Sequence, residues 1–147
     1  MKMLVCTDGS EPSQKATKEA ARIAANFKEV DVTILTVYEA PSFPMYGGEG
    51  GSIPVEMQAQ FEESKEMEGK EALQEAVKVF EEKNLKAITI LKKGNPSNTI
   101  IKMASEGDFD LVVLGSRGFG GLKRIILGSV SNAVAQEAKT NVVIVKQ

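Results

Sequence analysis

At 147 residues the chain is long enough to bury the core of one domain and short of what a second would need. Its 18 Lys and Arg are interspersed with 20 Asp and Glu, and the formal net charge of -2 gives no electrostatic reason to expect nucleic acid or an anionic membrane as partner. Histidine is absent and Cys6 is the single cysteine, which removes His-based triads, zinc sites and an intrachain disulfide.

The first apolar run, Met3 to Thr7, lacks the charged flank, length and cleavage site of a signal peptide, and no other stretch approaches the roughly 20 apolar residues that span a bilayer. A soluble cytoplasmic protein is expected. Further runs follow at Val32 to Val37, Ala87 to Leu91, Leu111 to Leu114 and Val142 to Val145, rich in Val and Ile and predicted to be strands buried on both faces. Between the first two, Ala16, Ala20, Ile23, Ala24 and Phe27 recur at helical spacing, with Ser10 as candidate cap and Pro12 in the first turn. Leu73, Val77 and Phe80 mark a second helix, predicted from near Val55 to about Asn84. Asn95-Pro96 opens a third through Ile100, Met103 and Ala104, and Ser129 to Lys139 reads as a fourth with Val130, Ala133 and Val134 inward. This alternation is that of βαβ units around a parallel sheet in a single α/β domain. The irregular stretch Glu39 to Pro54, rich in Pro and Gly, reads equally as a lid or as a tolerated surface insertion.

In an open parallel α/β sheet, ligands bind beyond the carboxyl ends of the strands, where the strand order reverses. The first strand here runs into Thr7-Asp8-Gly9-Ser10, which sets a carboxylate before a helix. The fourth runs into Gly115-Ser116-Arg117-Gly118, and the last helix opens at Gly128-Ser129-Val130-Ser131. Glycines at such turns let backbone amides approach an anion, a helix N-terminus offers unpaired N–H groups, and the hydroxyls of Ser129 and Ser131 add donors. Together these suit a phosphate chain. Each has a plain reading too: the glycines relax a turn, Ser129 caps a helix, and Asp8 is a turn residue. No Walker motif and no G-x-G-x-x-G after a strand occurs; the chain carries G-x2-G-x9-G-S, formed by Gly115, Gly118, Gly128 and Ser129.

That motif, with the opening Met3 to Ser10, the Lys93-Gly94-Asn95-Pro96 turn, Asp110 to Gly118 and the closing Asn141 to Val145, resembles the universal stress protein family in its ATP-binding subclass, over nearly the whole chain. The resemblance implies an open, Rossmann-like five-stranded parallel sheet in the order 3-2-1-4-5. It implies ATP as ligand, with Asp8 on the ribose, Thr7 lining the nucleoside pocket and the Val37 backbone on adenine. Gly115, Arg117 and Gly118 would lie beside ribose and phosphates, and Gly128, Ser129, Val130 and Ser131 would cradle the triphosphate.

An ATP-binding regulator of the stress response is therefore expected, with an ATPase or adenylyl-transferring enzyme on the same scaffold, or an interaction module without nucleotide, as alternatives. Lacking a recognisable base, catalysis is expected to be slow or absent, with Mg2+ shared among phosphate oxygens. A homodimer is expected through the apolar C-terminal edge strand, Val142 to Val145.

Overall fold

The computed structural model describes residues 1–40, 54–118 and 127–146. Strands β1 (Lys2–Cys6), β2 (Asp31–Tyr38), β3 (Ala87–Lys93), β4 (Leu111–Gly115) and β5 (Asn141–Val145) alternate with helices α1 (Glu11–Ala24), α2 (Val55–Glu81), α3 (Pro96–Glu106) and α4 (Ser129–Glu137). All strand pairings are parallel and the order is β3-β2-β1-β4-β5. The predicted fold is the observed one. The order reverses between β1 and β4, where Val5 pairs with Ile34 on one side and Val113 on the other.

Alternation along the strands divides the core into two layers. Met3, Val5, Ile34 and Val113 pack against Ala16, Ala20 and Ala24 of α1 and Leu73, Ala76 and Phe80 of α2. Leu4, Cys6, Leu35, Val112 and Leu114 face Ile100 and Ala104 of α3 and Val134 of α4. The row of alanines on α1 presents no bulk, which lets that helix lie close on the sheet.

Three expectations need correction. The outer strands are not buried on both faces: β5 is half-buried from Val142 to Val145, and β3 leaves Ile88 68% exposed. Among the described residues, α3 packs on β2 and on α4, so the face that β3 turns to that side is open at Ile88. Helix α1 stops at Ala24, and the chain leaves helical geometry before Phe27, which is exposed rather than inward. Helix α2 ends at Glu81, where left-handed Asn84 (φ 56) closes it with Asn84 N–H on the Glu81 carbonyl at 2.9 Å and Leu85 N–H on the Phe80 carbonyl at 3.0 Å. Most of the irregular stretch Glu39 to Pro54 lies outside the described residues.

Candidate functional site

Beyond the carboxyl ends of β1 and β4 the structure holds a cavity of about 850 Å³, within the usual range for small-molecule sites. Thr7, Asp8, Val37, Gly115, Arg117, Gly118, Gly128, Ser129, Val130 and Ser131, the candidates from the sequence, all lie on its wall. Cys6, Leu35 and Leu114 from the strand ends, with Pro96 and Ile100 of α3, supply an apolar floor that sequence reading assigned only to core or helix. The signal for them was alternation: Cys6 and Leu114 share a face with Leu4 and Val112, at strand ends adjoining the turns already singled out. Burial pushes the Cys6 thiol from 9.0 up to about 12, because a thiolate would lose its hydration there.

The turn after β1 is held by hydroxyls. Gly9, at φ 83, takes a left-handed conformation suited to glycine, and its N–H donates to Thr7 Oγ1 at 3.2 Å. Ser13 Oγ donates to the Ser10 carbonyl at 2.9 Å, so in its 3.0 Å contact with Thr7 Oγ1 the threonine is the donor. Thr36 of β2 donates to the Thr7 carbonyl at 2.9 Å. The exposed Asp8 carboxylate accepts through Oδ1 from the Ser10 N–H at 3.0 Å and the Ser10 hydroxyl at 2.5 Å. The turn reading of Asp8 holds, and the same residue lies on the cavity wall. Ser10 stands at the N-cap of α1 but makes no side-chain cap bond, contrary to its expected role.

The glycines of the motif are pressed by protein atoms. A Cβ on Gly115 would lie 2.8 Å from the Pro12 carbonyl carbon and oxygen, and one on Gly118 would lie 2.5 Å from Asp8 Oδ2. On Gly128 it would meet the Arg117 Cα at 3.3 Å and the Ser116 carbonyl at 3.4 Å. They let the turns after β1 and β4 and the starts of α1 and α4 converge, a packing role beside the turn-relaxing and anion-approach readings that the sequence offered. The Gly128 N–H and the Ser131 hydroxyl both donate to the Ser116 carbonyl, each at 2.8 Å, with Gly128 O a further acceptor for Ser131 Oγ at 3.0 Å. Ser131 is 2% exposed, and its hydroxyl is turned to these carbonyls. Ser129 is exposed, and the N-cap residue of α4, Gly128, makes no side-chain cap bond to the first amides, which by helix geometry have no intrahelical acceptor. The wall of one cavity therefore includes a carboxylate, an apolar floor and the start of α4 with its positive dipole character, with Arg117 alongside.

The model of the Universal stress protein family matches residues 1–146. Universal stress protein MJ0531 of Methanocaldococcus jannaschii is 36% identical over 147 residues, which cover 99% of this chain and 82% of that protein. The solved structure of MJ0577 from the same organism is similar with a TM-score of 0.80 at 25% identity, covering 99% of this chain and 95% of that one. A universal stress protein solved in complex with cAMP is similar with a TM-score of 0.69 at 27% identity, covering 99% and 96%.

Proposed function

Since the chain belongs to the universal stress protein family, we propose that it binds ATP in the cavity between β1 and β4 and acts as a cytoplasmic regulator of the stress response. The observation that carries this reading is that the Asp8 carboxylate, an apolar floor and the N-terminus of α4, whose N-cap Gly128 brings no capping side chain, line one cavity. A carboxylate suits the hydroxyls of a ribose, an apolar floor suits a base, and a helix N-terminus suits phosphate. The similar protein in complex with cAMP supports an adenine nucleotide as the class of ligand.

In this reading Asp8 holds the ribose, Thr7 and the Val37 backbone border the nucleoside, and Arg117 and the Gly118 turn flank ribose and phosphates. The amides of Ser129, Val130 and Ser131 and the Ser129 hydroxyl receive the triphosphate, on a start of α4 that Gly128 and the Ser131 hydroxyl anchor. Among the described residues no group of three or more His, Cys, Asp or Glu gathers to hold a metal, so Mg2+ would be carried on the phosphate oxygens, where it neutralises their charge. With no histidine in the chain to act as base, turnover is slow or absent. Denaturing the purified protein and analysing the released small molecules tests the reading: ATP supports it, and a protein that neither carries ATP nor takes it up on addition contradicts it.

The same reading includes a homodimer through β5, which has a neighbour, β4, on one side only and carries Val142 to Val145 half-buried. Light scattering at micromolar concentration should give twice the chain mass, and a monomer there contradicts it. Among the described residues no helix is long and apolar enough to cross a membrane.

A further inference from the structure

We propose that Ser10 is a positioning residue of this site, which pins one oxygen of Asp8 and leaves the other for a ribose hydroxyl. The inference rests on the nucleotide reading above. A serine at an N-cap ordinarily accepts from an amide of the first helical turn, and Ser10 does not. Its hydroxyl has one hydrogen to give, which goes to Asp8 Oδ1 at 2.5 Å, beside its own N–H on the same oxygen at 3.0 Å. Both donors come from one residue and both choose one oxygen.

Ser10 is itself held. It is 3% exposed, and its carbonyl accepts from Ser13 Oγ and from the Gln14 N–H, each at 2.9 Å, which ties it to the first turn of α1. Rotation about the last side-chain bond of an aspartate is broad, so a carboxylate with two free oxygens would sample many orientations. Here Oδ1 is fixed by Ser10, and Oδ2 reaches into the space that Gly118 leaves by having no Cβ. The acceptor for the ribose is thus set before ligand arrives, which lowers the ordering cost of binding.

The test titrates the native protein and Ser10→Ala with ATP and with 2′,3′-dideoxyATP, which has no ribose hydroxyl to donate. The native protein should favour ATP, and Ser10→Ala, which keeps the N–H on Oδ1 but loses the hydroxyl, should lose about threefold to tenfold in affinity for ATP, the scale of ordering one side chain, while its affinity for 2′,3′-dideoxyATP stays unchanged. In an Asp8→Asn background, Ser10→Ala should cost almost nothing further, since the two act as one unit. Should Ser10→Ala fail to fold, Ser10→Gly, tolerated at an N-cap, gives the same readout. Equal losses for both nucleotides, or no loss for ATP, overturn the positioning role while the nucleotide reading stands. A native protein that binds neither nucleotide overturns both.

Discussion

The Cβ that Gly118 lacks would stand 2.5 Å from Oδ2 of Asp8, so the turn after β4 and the carboxylate after β1 share one small volume. Gly118→Ala should therefore displace the carboxylate without touching the core. ATP affinity is expected to fall by about tenfold, comparable to one charged hydrogen bond, with the melting temperature nearly unchanged. Calorimetric titration beside thermal unfolding checks this, and a large loss of stability at full affinity would place the glycine in the fold rather than the site.

Gly115→Ala should behave in the opposite way. Its Cβ would meet the Pro12 carbonyl carbon and oxygen at 2.8 Å, and backbone in the first turn of α1 cannot move aside as a flexible side chain would. Overpacking of this kind costs about 1–3 kcal/mol. Denaturant unfolding should show that loss as a lower midpoint with the same slope.

The two serines of α4 should separate as cleanly. Ser131→Ala removes a buried hydroxyl whose acceptors keep other donors, since the Ser116 carbonyl still receives the Gly128 N–H and the Gly128 carbonyl the Asn132 N–H. Its cost is a net hydrogen bond, about 1 kcal/mol of stability. Ser129→Ala, at an exposed position, should leave stability alone and weaken ATP by up to about tenfold, with adenosine unaffected. Unfolding and titration of both variants decide the assignment, and a loss of adenosine affinity in Ser129→Ala would argue against a phosphate contact.

Cys6 gives a pH dependence with a definite sign. The folded chain keeps the thiol proton up to about 12, while an ordinary thiol releases it near 9.0. Between those values the unfolded state binds fewer protons, so stability falls as pH rises; below the lower value the contribution is constant. The unfolding midpoint of the native protein should drop more steeply from pH 8.5 to 10.5 than that of Cys6→Ala, other titrating groups being common to both. Parallel curves would mean that the thiol is not held neutral by burial.

What was legible in the sequence follows what local pattern carries. β1, β2 and β4 read directly as continuous apolar runs because helices cover both of their faces. Ile88 belongs to the same kind of run, yet its exposure depends on β3 lying at the sheet edge, which neighbours in sequence do not encode. Phe27 continues the spacing of α1 after the backbone has left the helix. At the site, Asp8 and the glycine motif stood out because a carboxylate and small residues are unusual at the ends of apolar strands. Ser10 stands at the N-cap as its type suggests, but capping preference is a local statistic, and its hydroxyl is captured by Asp8 across the left-handed turn at Gly9 instead of capping the helix. Cys6, Leu35 and Leu114 merged into the core, since a cavity floor and a core are built of the same residues.

In the proposed reading, one cavity holds an adenine nucleotide with its nucleoside toward Asp8 and its phosphates toward α4. Titrating ATP and adenosine into the native protein, Asp8→Asn and Ser129→Ala in one calorimetric series tests it most directly. ATP should bind the native protein more tightly than adenosine, Asp8→Asn should weaken both ligands, and Ser129→Ala should weaken ATP alone. Absence of ATP binding by the folded native protein at millimolar concentration, an Asp8→Asn variant that binds both ligands as the native protein does, or a Ser129→Ala loss that falls equally on both ligands would contradict it.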